Sequence, residues 1–197
     1  MKKYLLLLLV LALSFTTAFA ADESTIIIKT SKPVGTSVSL DAYTASKDES
    51  FTVDWGDGEE EIYNVDPNGW GYSRRINTEI KGGTITIKGK LVNFDLTEAG
   101  ITSVDLHGQT ALKDINLEKN EIATFKQDGM PALTELNLRD NKLTTFSGTG
   151  MTSLKTLNLQ GNQLDSHEFD ITDASATLTD LTVSNNGDKF ITLNLMA

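Results

Sequence analysis

The 197-residue chain has no cysteine, only three prolines and only two histidines. The lack of cysteine excludes disulfide staples, thiolate metal sites and a lipid-modified cysteine anchor together. The fold must be held by packing alone. His107 and His167 form no HExxH helix, and neither a GxSxG elbow nor a glycine-rich phosphate loop occurs. No catalytic constellation is recognisable, so the expectation is a non-enzymatic protein without cofactor or metal. Basic residues are also few: 17 against 27 acids, for a net charge of -10. That balance repels nucleic acid phosphates and anionic lipid headgroups, so neither is an expected partner.

The one long apolar run stands at the start, in MKKYLLLLLVLALSFTTAFA. Two lysines, an unbroken leucine-rich stretch and Ala-Phe-Ala before Ala21 read as a signal peptide over residues 1–20. A membrane helix needs about 20 apolar residues, and Ser14, Thr16 and Thr17 interrupt this run early. The expected destination is outside the cytoplasm: secreted, at the cell surface or periplasmic, with no membrane insertion after cleavage.

What the chain does have is a period. LKDINLEKNEIATF begins at Leu112, LTELNLRDNKLTTF at Leu133 and LKTLNLQGNQL at Leu154, each 21 residues after the last. A weaker copy, LVNFDLTEAGITSV, begins at Leu91, and LTDLTVSNNGD follows at Leu178 after a 24-residue step. The shared pattern LxxLxLxxNxL resembles that of leucine-rich repeat proteins. With the signal peptide, it most resembles the bacterial exported, internalin-like type. The resemblance implies a short solenoid over residues 91–197 with a parallel β-sheet inner face, used for protein recognition.

Elementary geometry leads to the same picture. In TELNLRD, alternation puts Leu136 and Leu138 on one face of a short strand and Glu135, Asn137 and Arg139 on the other. One such strand cannot bury its leucines, so coils must stack, with Leu133, Leu136, Leu138, Leu143 and Phe146 packing on their equivalents. The second halves, such as TFKQDGMPA and TFSGTGMTS, carry Gly, Pro, Ser and Thr. Turns and short irregular segments are expected there, not helices. Asn120, Asn141, Asn162 and Asn186 recur where each strand ends, suited to bonding otherwise unpaired backbone groups. They are read as a structural asparagine ladder. Ala99 takes that place in the first repeat, as expected of a boundary coil. At the far end FITLNLMA, with Phe190, Ile191, Leu193 and Leu195, is expected to cap the last coil.

Residues 21–90 lack the leucine spacing. Instead TIIIK, SVSLDAYT, SFTVDW, EEEIYNV and GTITIKG alternate between Gly, Pro and Asn punctuation, the pattern of a small β-sandwich. Within it DWGDG and GGTITIKG resemble segments of PKD-like, immunoglobulin-type domains. Asp54, Asp57, Glu59 and Glu60 invite a calcium reading, but ligands in such loops alternate over a longer stretch. An Asp-Gly hairpin turn accounts for them, with the glutamates on a solvated strand edge.

Two binding candidates emerge. The exposed strand positions of the repeats form an inner face that includes Asp95, Asp114, Asn116, Glu118, Glu135, Asn137, Arg139 and Asn158. Five strands make it only about 19 Å across. It carries no aromatic residue, so a solvated polar face competes with a protein site. The second candidate is PNGWGYSRR, where Trp70, Tyr72, Arg74 and Arg75 fall in a glycine-containing loop. These residues suit a protein anchor, a sugar platform for a glycan, or the seam between the two halves of the chain. A third reading makes the whole chain a structural surface component.

Overall fold

The computed structural model describes residues 24–65, 73–165 and 169–187. The expected signal peptide, Trp70, Tyr72, His167 and the expected C-terminal cap lie outside the described residues. The protein is mainly β, and the single helical piece among the described residues is a 3-10 turn at Thr172–Ala174.

Alternating side chains decide which residues turn inward. Strand β1 (Thr25–Thr30) buries Ile26 and Ile28, and β2 (Ser37–Tyr43) buries Val38, Leu40 and Ala42. Phe51 and Val53 of β3 (Ser50–Asp54) and Ile85 and Ile87 of β6 (Thr84–Lys88) do the same. Strands β3 and β4 (Glu60–Asn64) form the expected hairpin, with Asp54 opposite Glu60. Asp54 Oδ1 accepts from the Gly56 and Gly58 amides at 2.8 and 3.0 Å, which closes the turn. Trp55 is fully buried at the tip, and its carbonyl accepts from the Lys81 and Gly82 amides. There the Gly56 and Gly82 backbones touch so closely that neither has room for a side chain.

The repeats supply one short inner strand per coil, five among the described residues, and these five span about four turns of the solenoid. Strands β7 (Asn93–Asp95), β9 (Asp114–Asn116), β11 (Glu135–Asn137), β13 (Thr156–Asn158) and β15 (Asp180–Thr182) pair in parallel. Leu133, Leu136, Leu138, Leu143 and Phe146 are all buried, as are their counterparts Leu154, Leu157, Leu159 and Leu164 in the next coil. Each such leucine contributes about 1.5–3 kcal/mol of transfer free energy.

The outer side departs from the expected irregular turns. Strand β8 (Ile101–Leu106) pairs in parallel with β10 (Thr124–Gln127), and β12 (Phe146–Ser147) with β14 (Phe169–Asp170). A phenylalanine spine links β10, β12 and β14. Phe125 and Phe146 stack with centroids 6.4 Å apart, and Phe146 and Phe169 follow at 6.1 Å, so the outer segments are held in line from coil to coil.

The strands before residue 90 join the repeats in both sheets. One sheet runs β10-β8-β1-β6-β3-β4; the other runs β15-β13-β11-β9-β7-β2-β5, with β5 spanning Ser73–Glu79. At each junction the direction reverses: β2 lies antiparallel to β7, and β1 to β8. Buried residues of both sheets form one hydrophobic cluster from Ile26 to Ala174.

Four asparagines are buried along the stack: Asn120, Asn141, Asn162 and Asn186. Asn141 Oδ1 accepts from the Ile122 amide at 3.0 Å, and its Nδ2 donates to the Leu117 and Leu138 carbonyls at 2.9 and 3.0 Å. One side chain thereby ties two adjacent coils. Asn120 does the same for the boundary coil, where Oδ1 accepts from the Ala99 and Ile101 amides. The residue before each of these positions, and before Ala99 in the boundary coil, has a left-handed backbone: Glu98, Lys119, Asp140, Gly161 and Asn185 have φ of 55, 55, 53, 71 and 59°. That bend turns the chain out of the inner sheet in every coil.

Candidate binding interface

The register of the seven-stranded sheet lines its solvent face with two rows of side chains. The first row reads Arg75, Asp41, Asp95, Asn116, Asn137, Asn158 and Thr182, from β5 to β15. The second reads Ser73, Tyr43, Asn93, Asp114, Glu135, Thr156 and Asp180. Between them run Ala42, Phe94, Ile115, Leu136 and Leu157, all buried, because period two sends intervening residues into the core. The central strands form the floor of a shallow trough with Asp41, Tyr43 and Arg75 at one end.

Much of the first row is bonded to itself. Asn116 Nδ2 donates to Asp95 Oδ2 at 3.0 Å, and Asn137 Nδ2 donates to Asn116 Oδ1 at 3.0 Å and Glu118 Oε2 at 2.9 Å. Asn116, Asn137 and Asn158 also accept the amides of Glu118, Arg139 and Gln160, two residues on. These candidates are therefore a second, half-buried asparagine ladder as well as a surface. Asp114 accepts from Asn93 Nδ2 at 2.8 Å and Thr134 Oγ1 at 3.1 Å. Arg139 pairs with Asp140 on the adjoining turn, Nε to Oδ2 3.2 Å. Glu135 is exposed, and its carboxylate has no hydrogen bond or ion pair among the described residues.

The arginines of the second candidate are not in a loop. Arg74 and Arg75 lie in β5, which starts at Ser73 and runs antiparallel to β2. Arg75 faces Asp41 across the strands and binds it through both carboxylate oxygens: Nε to Oδ1 at 2.8 Å and Nη2 to Oδ2 at 2.6 Å. Strand pairing puts Arg75 on the inner face, beside Asp41. Arg74 is exposed, at the position opposite Ala42.

Asp41 and Tyr43 were not among the expected site residues. The alternation in SVSLDAYT does place both on its polar side, but only the pairing of β2 with β7 puts them beside the repeats. Asp41 stands directly opposite Asp95. Burial pushes the Asp95 carboxyl above its ordinary pKa; the Asn116 hydrogen bond opposes the rise, and the Asp41 charge adds to it. At the hairpin tip Lys81 bridges Glu61 and Asp57 at 2.7 and 3.0 Å, and holds both carboxyls below their usual values. His107 is exposed on the outer side and pairs with Asp128. Among the described residues, no group of three His, Asp or Glu side chains is placed to hold a metal ion, and no helix is long and apolar enough to cross a membrane.

A stack of short parallel strands with buried leucines and an asparagine at each turn defines a β-solenoid. Its central coils, residues 125–164, match the family model for the leucine rich repeat. No curated protein and no solved structure matches the chain. Such solenoids commonly present an extended sheet face for binding other proteins.

Proposed function

We propose that this chain is an exported, non-catalytic recognition protein of the internalin-like type that binds a protein partner through its inner sheet. In this reading residues 1–20 are a cleaved signal peptide, 21–90 a PKD-like cap and 91–197 the repeats. The observation that carries the proposal is the pair of polar rows crossing the seven strands, open to solvent over a rigid apolar layer. Side chains fixed by packing beneath them lose little freedom on binding, so even modest contacts count.

The test is a screen of the mature protein against extracellular proteins and glycans, followed by paired variants. Glu135→Ala/Thr156→Ala/Asp180→Ala is expected to weaken capture of a partner, whereas Thr86→Ala/Lys126→Ala on the other sheet leaves it intact. The opposite pattern overturns the assignment of the face. A glycan as the sole ligand supports the alternative, an accessory module using Trp70 and Tyr72.

A further inference from the structure

Position 95 breaks the ladder. In the three following coils the equivalent residue is Asn116, Asn137 or Asn158; each caps the amide two residues on, and Asn116 and Asn137 also donate to the preceding coil. Asp95 keeps the acceptor role toward Asn116. An asparagine would fill that role equally well through its own oxygen. It would also remove the clash of like charges with Asp41, since cross-strand neighbours of one sign destabilise a sheet. A charge standing where the neutral isostere would pair as well costs stability, and such costs gather at sites built for binding.

The surroundings show what such a charge would meet. Both oxygens of Asp41 are occupied by Arg75, while Asp95 has a bond only on Oδ2 among the described residues. Tyr43 lies diagonally across from Asp95 in the register, half-buried in the trough wall. Asp114 follows on the next strand, where its two oxygens accept from the neutral donors Asn93 Nδ2 and Thr134 Oγ1 and so keep their charge uncompensated. An aromatic ring with two carboxylates suits a cation with an apolar stem, because ring, charge and stem each find a complement.

Resting on the inner-face reading above, we infer that the anchor of this face lies outside the strong repeats, where Tyr43, Asp95 and Asp114 receive a lysine or arginine side chain of the protein partner. Arg75 is held by Asp41 through two oxygens, so its charge offsets that of Asp95 only in part. The far strands, where Asn137 spends its donors on Asn116 and Glu118 and Asn158 caps the Gln160 amide, then contribute shape more than specificity.

The probe is an octapeptide of alternating arginine and glycine, titrated into isotopically labelled mature protein and followed by amide shifts. Alternating glutamate–glycine and serine–glycine peptides serve as controls. Shifts are expected to cluster at residues 41–43, 93–95 and 114, and the control peptides should cause none. Asp95→Asn, which keeps the Asn116 bond, should weaken binding about two- to fivefold, and Tyr43→Leu by a similar factor. If these variants bind like wild type while Glu135→Gln/Asp180→Asn loses affinity, the anchor is misplaced but the inner face remains the site. If the shifts fall on the other sheet, both this inference and the inner-face reading fail. Equal binding of the serine–glycine peptide, or no binding of the arginine peptide at millimolar concentration, overturns the cationic ligand class.

Discussion

At the residue scale, the two asparagine ladders differ in what they satisfy. Asn141 pairs buried backbone groups of two coils, so Asn141→Ala should cost about 1–3 kcal/mol in chemical denaturation. Asn137→Ala loses bonds to half-exposed partners and should cost less, though more than a free surface residue. Asp95 gives a prediction of opposite sign. Its folded pKa lies above the ordinary 3.8, so the folded state holds that proton more tightly than the unfolded one. The stabilising contribution is complete below the unfolded value and is lost as pH rises through the folded one. At neutral pH the wild type bears the full cost. Asp95→Asn should therefore melt at a higher temperature than wild type at pH 7, with the difference shrinking toward pH 3. A constant difference across that range would show that the carboxyl is not responsible. The buried ladder was legible because Asn recurs at one fixed place in every repeat after the first. The surface ladder was not, since its bonds depend on which residue stands opposite in the neighbouring strand. Nor did anything in SRR show that its second arginine would meet Asp41, 34 positions earlier.

At the scale of elements, backbone contact is as decisive as side-chain packing. A Cβ on Gly82 would fall on the Gly56 carbonyl, whereas one on Gly83 meets nothing within 4 Å. Gly82→Ala should cost about 3 kcal/mol by overpacking the hairpin tip. Gly83→Ala should be neutral, or stabilising by up to about 1 kcal/mol, because it only restricts the unfolded chain. Equal thermal shifts for the two neighbours would refute the contact. The DWGDG turn was readable from its own residues, but its docking on GG was not, since no local pattern says which glycines will meet. The outer strands escaped notice for a related reason. Strands β10, β12 and β14 have only two to four residues and are aligned by phenylalanines stacked across coils, while β8 buries Ile101, Val104 and Leu106, a spacing that is not a clean alternation.

At the scale of the molecule, the strands before residue 90 and the repeats share both sheets and one core. Unfolding of the mature chain should be a single transition by both circular dichroism and tryptophan fluorescence. Both tryptophans, Trp55 and Trp70, precede residue 90, whereas most of the leucines follow it. A fragment of residues 91–197 would uncover β7 and β8 along with the Phe94 and Val104 faces they bury. It should aggregate or remain unfolded; a soluble fragment with a cooperative melt would show that the repeats fold alone. The repeat period made the solenoid readable, but it could not reveal this sharing. Alternation identifies a strand without naming its neighbours, and the β-rich first part looked like a unit of its own.

The reversal of strand direction at β2 and β1 also bears on how the array can change in length. A new coil needs a parallel neighbour on each side, and the antiparallel strands offer none beyond β7. Growth by duplication is thus confined to the interior and the far end of the stack. Each 21-residue unit gained there would lengthen the face by about 4.8 Å and leave Tyr43 and Asp95 where they are. The reach of the surface can drift through copy number while the end that carries its charge stays fixed.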